Sequence, residues 1–141
     1  MKKIFISSDH AGYKLKELIK LHLDKKKIMY IDLGPNNNAS VDYPDFAHKV
    51  AKKVKINNNN FGILVCGSGI GMNITANRHK NIRAAQCFNL RSTKLSRLHN
   101  DANIITLGSR LLTNKNALSC VNAFLTTKFE GGRHSKRIRK I

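Results

Sequence analysis

The feature that most constrains this sequence is an alternation of two hydrophobic periods, repeated five times along the chain. Short apolar runs, "KIFISS" (3–8), "IMYIDLG" (28–34), "FGILVC" (61–66), "IRAAQC" (82–87) and "NIITLG" (103–108), have the length and β-branched content of strands. Each is followed by a stretch with helical spacing. Residues 13–23 place Leu15, Leu18, Ile19 and His22 on one face, and "KNALSCVNAFLTT" places Ala117, Cys120, Val121, Phe124 and Leu125 at i, i+3, i+4, i+7 and i+8. Between them come "FAHKVAKKV", with Pro44 fitting the first turn of its helix, then "GMNITANRH" and "LRSTKLSRLHN". Strands separated by helices pair in parallel, with helices covering both faces of the sheet. At 141 residues the chain has room for one such domain, expected to span 1–141, with a basic tail from about residue 128.

In an open parallel sheet, ligands bind beyond the carboxyl ends of the strands. That rule singles out Asp9 and His10, the loop around Asp42 and Tyr43, the run 66–71, Cys87, and the run 108–110. The richest of these is "LVCGSGIG" (64–71), a thiol at a strand end followed by Gly67, Gly69 and Gly71. The spacing is not that of a dinucleotide fingerprint. The strand is the third, and the next one ends "AAQC" with no acid. No G-K-[ST] follows, so a P-loop is excluded too. What remains is a glycine turn entering a helix, able to aim several backbone N–H groups at a negative charge. Cys66 stands just before it, where a thiolate is favoured and can take up a proton or attack a carbon. Cys66 reads equally as a small hydrophobe closing a buried strand. Ser68 fits either a tight bend or a hydroxyl aimed at an oxyanion. Cys87 reads as core, and Cys120 lies on a helix's apolar face.

Other candidates have two readings each. Asp9 fits a helix cap or a substrate contact. His99, with Asn100 beside it, ends the fourth helix, where the helix dipole favours an imidazolium; its place before the fifth strand also suits a site. After the Gly131–Gly132 hinge, Arg133 and Arg137 stand at i, i+4 and would share one helix face, suited to one phosphate, or would form a solvated basic tail.

The formal charge of +18 raises the possibility of nucleic-acid binding. The lysines are spread along the whole chain and accompany asparagine runs at 36–38 and 57–60, the pattern of a general lysine and asparagine bias and not of a binding stripe. Such a chain still attracts anionic substrates. No apolar run approaches the roughly 20 residues of a membrane span. The N-terminal apolar stretch is too short for a signal peptide, and three cysteines without C-x-x-C spacing suit reduced thiols, so a cytoplasmic location is expected.

Taken together, "DHAG", "DYPDFA", "CGSGIGMNITANR", "SRLHNDANIITLGSR" and "FEGGRH" resemble, in order and spacing over nearly the whole chain, the type B ribose-5-phosphate isomerases, a family that includes the galactose-6-phosphate isomerase subunits. The resemblance implies an α/β fold, a single-domain Rossmann-like three-layer sandwich with a five-stranded parallel sheet. It implies interconversion of ribose 5-phosphate and ribulose 5-phosphate with no metal and no organic cofactor. In that family's terms Cys66 is the base, Ser68 and the backbone of Gly67, Gly69, Ile70 and Gly71 hold the enediolate, and His99 opens the sugar ring with Asn100 beside it. Asp9 and His10 match contacts to the sugar or its phosphate, and Tyr43 matches a pocket wall. Arg110, Arg133 and Arg137 match substrate-binding arginines, the last two mainly for phosphate. Some relatives use a glutamate a few residues after the turn, but "GMNIT" has no carboxylate, leaving Cys66 as the candidate base. Family members are homodimers, sometimes paired as tetramers, with the site shared between subunits, so the expected partners are a sugar phosphate and a second copy, with no specific nucleic acid and no membrane. The alternatives are isomerisation of a six-carbon sugar phosphate (allose or galactose 6-phosphate) and a basic nucleic-acid-binding protein.

Overall fold

A computed structural model describes residues 2–141. It contains β1 (Lys3–Ser8), α1 (Tyr13–Lys25), β2 (Ile31–Asp32), α2 (Tyr43–Val54), β3 (Asn60–Cys66), α3 (Ile70–Ala76), β4 (Ala84–Gln86), α4 (Leu90–Asn100), β5 (Ile104–Gly108), α5 (Asn114–Thr126) and α6 (Arg133–Ile138). The strands form one sheet in the order β2-β1-β3-β5-β4, and every pairing is parallel. The expected single α/β domain with a five-stranded parallel sheet is therefore what the chain forms.

Side chains on successive strand residues face opposite ways, so each central strand feeds two cores. Ile63 and Val65 of β3 and Ile105 and Leu107 of β5 join Leu15 and Ile19 of α1 and Val121 and Phe124 of α5 on one side. Leu64 and Cys66 of β3 and Ile104 of β5 join Val50 of α2 and Met72 of α3 on the other. The continuous apolar run "FGILVC" is thus the central strand, buried on both faces.

Three details refine the sequence reading. The second strand forms ladder pairs only at Ile31 and Asp32, because it lies at the sheet edge with β1 as its one neighbour. The buried face of α1 holds Leu15, Lys16, Ile19 and Leu23, while Leu18 and His22 are half-buried. A lysine at a core position contradicts hydrophobic patterning, and its partners explain it. Lys16 Nζ donates to Asp32 Oδ1 at 3.0 Å, Asp32 Oδ2 at 2.8 Å and the Pro35 carbonyl at 2.8 Å. The third is the tail, which takes the helical of its two readings, forming α6 and lying against α4.

The Lys16–Asp32 pair holds the loop that follows β2. Asp32 Oδ1 also accepts from the Gly34 N–H at 2.9 Å, and Lys20 Nζ lies 2.7 Å from Asp32 Oδ2. Burial alone would raise the Asp32 pKa, but hydrogen bonds from Lys16, Lys20 and Gly34 outweigh it and hold the carboxyl below its usual range. A depressed carboxyl stabilises the fold above its unfolded pKa of about 3.9, and loses that contribution as pH falls through the folded value. Asp32→Asn leaves Lys16 buried without its main counter-charge and is expected to cost about 3 kcal/mol at neutral pH in urea denaturation. The gap between wild type and variant should close below about pH 4; a gap that persists there would mean the charge on Asp32 is not its source.

Candidate active site

The sheet order reverses direction at β1 and β3, since β1 leads outward to β2 and the chain then returns across β1 to β3. Beyond the carboxyl ends of these strands, helices diverge to opposite faces and leave a crevice. There lies an open cleft of about 540 Å³, lined by Asp9, His10, Ala11, Tyr43, Cys66, Gly67, Ser68, Ile70, Gly71, Ile74, Arg110 and Leu111.

Cys66 ends β3 on the cleft floor, almost wholly buried, and its Sγ accepts from the Gly69 N–H at 3.0 Å. Gly69 lies under the turn and does not line the cleft; its φ of +78° is open to glycine and strained for other residues. Ser68 Oγ accepts from the Ile70 N–H at 3.2 Å, and its carbonyl accepts from Gln86 Nε2. The Ser109 and Arg110 N–H groups donate to the carbonyls of Cys66 and Gly67, which locks β3's exit to β5's exit. Among the described residues, the N–H groups of Gly67, Ser68 and Gly71 have no acceptor. Such a cluster is suited to an anion or a developing oxyanion.

Asp9 Oδ1 accepts from the Gly12 N–H at 2.9 Å just before α1, and the residue also borders the cleft. His10 Nδ1 accepts from the Val41 N–H at 3.2 Å. A neutral His10 therefore carries its hydrogen on Nε2 and has a donor to offer. Val41 belongs to the loop that Lys16 and Asp32 hold, so the buried pair and the site are connected. Tyr43 begins α2 and lies over Gly71, and the Arg110 guanidinium lies against Gly67.

His99, Asn100, Arg133 and Arg137 are elsewhere. Helices that follow parallel strands run back toward the strands' amino ends, so α4 delivers His99 and Asn100 to the opposite edge of the sheet. Arg83 confirms this position: it precedes β4 and its Nε donates to the Asn100 carbonyl at 2.9 Å. The five residues of β5 rise about 3.3 Å each, so the two edges are about 16 Å apart. At the amino edge, His99 stacks on His134 with ring centroids 4.3 Å apart, and both face Glu130. His134 is held below the usual histidine pKa by burial and by the charges of His99, Arg133 and Arg137, against the opposing effect of Glu130.

Glu130, His134, Gln86, Ile74 and Leu111 were not singled out from sequence. "FEGGRH" already carried the first two, but only the fold of the tail against α4 turns neighbours in that motif into neighbours of His99. Cys87 and Cys120 are buried in the core, as read from sequence, and burial pushes the Cys87 thiol up. No helix among the described residues is long and apolar enough to cross a membrane.

A switch-point crevice with a thiol under an unpaired N–H cluster is the geometry of an α/β site suited to a small anion. Known proteins narrow the class. The profile of the Ribose/Galactose Isomerase family matches residues 4–141. Ribose-5-phosphate isomerase B of Escherichia coli is 41% identical over 141 residues, covering 100% of this chain and 95% of that protein. The solved ribose-5-phosphate isomerase B of Clostridium thermocellum superposes with a TM-score of 0.95 at 48% identity, covering 98% of this chain and 93% of the other. That of Mycoplasma genitalium, solved with bound ribulose 5-phosphate, gives 0.94 at 46% identity, covering 98% and 92%. The chain belongs to the ribose/galactose isomerase family, the one that includes the type B ribose-5-phosphate isomerases, and is an isomerase.

Two glycines test the cleft. A Cβ on Gly71 would fall 2.5 Å from the Tyr43 ring, an exposed side chain that can move, whereas a Cβ on Gly12 would meet the Val65 backbone carbonyl, which cannot. Gly12→Ala is expected to cost about 2 kcal/mol of folding stability. Gly71→Ala should leave stability within about 0.5 kcal/mol and weaken substrate binding. The reverse ranking in paired denaturation and KM measurements would contradict this picture of Tyr43.

Proposed function

We propose that the protein interconverts ribose 5-phosphate and ribulose 5-phosphate, working as a homodimer in the cytoplasm. The observation that carries the reading is the Cys66 thiol on the floor of the cleft, with the unpaired N–H groups of Gly67, Ser68 and Gly71 close by. An aldose–ketose isomerisation needs a base beside a donor cluster of this kind. The ribulose 5-phosphate held by the Mycoplasma genitalium relative supports the pentose.

On this reading the furanose is opened first. His99 takes the proton from the anomeric hydroxyl and returns one to the ring oxygen as the C1–O bond to that oxygen breaks. The Cys66 thiolate then removes the proton from C2, and the electron pair moves into a C1–C2 double bond while the C1 carbonyl oxygen gains charge. That charge falls to the turn's N–H groups and the Ser68 hydroxyl. A proton moves from O2 to O1, and the Cys66 thiol returns its proton to C1, leaving the ketone at C2. The thiolate is regenerated, so no net acid or base is consumed. Asp9, His10, Tyr43, Ile70 and Arg110 bind the sugar from the cleft side. Asn100 and His99 approach from the other side, and Arg133 and Arg137 take the phosphate.

Because His99 and the tail arginines lie at the far edge of their own sheet, they must come from a second copy for this chemistry to be complete. A two-fold dimer supplies both copies of the site at once, each cleft meeting the partner's amino edge. The phosphate, gripped at a distance from the reacting carbons, provides binding energy that holds C1 and C2 in place.

Purified, chelator-treated protein should convert ribose 5-phosphate to ribulose 5-phosphate. Cys66→Ala should lower kcat by a factor on the order of 10²–10⁴, and Ser68→Ala by about a hundredfold to a thousandfold, with circular dichroism unchanged. Turnover of allose 6-phosphate in preference to the pentose would reassign the substrate to six-carbon sugars. A fully active Cys66→Ala would remove the thiol from the mechanism.

A further inference from the structure

The amino-edge cluster has a second chemistry. We propose that His99, Glu130 and His134 form a binding site for a divalent transition-metal cation of the zinc class, and that such a cation inhibits the isomerase by occupying His99. The inhibition rests on the function proposed above; the metal site does not.

The three ligand atoms lie within 4.8 Å of one another. Glu130 Oε2 is 3.8 Å from His99 Nε2 and 3.7 Å from His134 Nε2. Around a tetrahedral zinc with bonds of about 2.0–2.1 Å, neighbouring ligand atoms are roughly 3.3 Å apart, so each Glu130–His separation needs to close only slightly. The second observation is independent of the spacing. His134 is 6% exposed, and its Nε2 has no hydrogen-bond partner among the described residues. A buried ring nitrogen left unpaired toward a carboxylate and another imidazole calls for a ligand.

The surroundings allow the remaining adjustment. The rings of His99 and His134 are stacked 14° from parallel, so their lone pairs run side by side and one ring must swing to share an ion. His99 is half exposed and free to do so. Glu130 is exposed and enters the Gly131–Gly132 turn, where both glycines have positive φ and open space surrounds Gly132. Charge sets the class of ion. Arg133 and Arg137 flank His134, and their repulsion disfavours hard cations such as magnesium or calcium, which bind oxygen and gain little from imidazole. Zinc, copper and nickel bind imidazole strongly enough to overcome it. With three protein ligands the ion keeps a position for water, and a metal-bound His99 Nε2 has no lone pair left with which to take a proton from the sugar.

Cobalt(II), whose visible absorption reports its ligands, is the direct probe. Tag-free protein, stripped with chelator and desalted, is titrated with cobalt and then with zinc. The expected result is one cobalt per chain, with ligand-field bands of a low-coordinate nitrogen and oxygen site, no thiolate-to-metal charge transfer, and displacement by zinc. Cys66→Ser should keep this spectrum, and Glu130→Gln, an exposed and structurally mild change, should weaken binding at least about tenfold. His134→Gln should abolish it. Zinc should inhibit ribose 5-phosphate turnover in competition with substrate, reversibly with chelator, and less so in Glu130→Gln. Failure to bind cobalt, binding that survives Glu130→Gln undiminished, or a charge-transfer band that disappears with Cys66→Ser would each overturn the site. If cobalt binds as described but ribose 5-phosphate is not turned over, the metal site stands and the proposed function fails.

Discussion

All five strands point the same way, and the placement of every functional group follows from that. Loops leaving the strands collect at one edge, loops entering them at the other, and the intervening helices carry the chain back between the two. Asp9 and Arg110 follow strands, Cys66 ends one, and the three meet in one cleft. His99 and Asn100 end a helix and Arg133 and Arg137 follow one, so all four gather at the opposite edge. Residues that one reaction would use together are therefore separated by the length of a strand, and closed two-fold symmetry is the economical way to bring them together.

The three cysteines show how position in this frame decides chemistry. Each is almost fully buried, so exposure does not distinguish them. Cys120 sits mid-helix in the core, and Cys87 follows an edge strand whose thiol hydrogen bonds to the Ala85 carbonyl. Cys66 ends the central strand at the point where the glycine turn opens, and its sulfur receives a backbone N–H while still bordering the cleft. The turn itself is held from behind, by β5 through the N–H groups of Ser109 and Arg110 and by Gln86 on β4. On the other side, Lys16 and Asp32 hold the loop whose Val41 N–H fixes His10. An ion pair that does not line the cleft thus holds one of its walls.

Most of the fold was legible because its signal is local. The short apolar runs and the helical face of α5 correspond to the elements formed, and the run 66–71 stands out by its thiol, its glycines and its place after a strand. What sequence missed is non-local. Lys16 reads as a surface lysine until β2 and its loop place Asp32 and the Pro35 carbonyl around it. Glu130 and His134 gain meaning only when α6 packs on α4 and brings them to His99. The division of the expected site residues between two edges follows from the parallel strand direction that the alternation already implies, but which side chains meet at each edge depends on sheet order and on the packing of α6.

The claim that the site is completed across subunits is tested most directly by mixing two inactive variants. Cys66→Ala and His99→Ala homodimers, unfolded together in equal amounts and refolded, should regain about a quarter of wild-type activity, because half the dimers are mixed and each of those holds one intact site of two. Refolded mixtures as inactive as either parent would mean that Cys66 and His99 serve the same subunit's site, and would contradict the account.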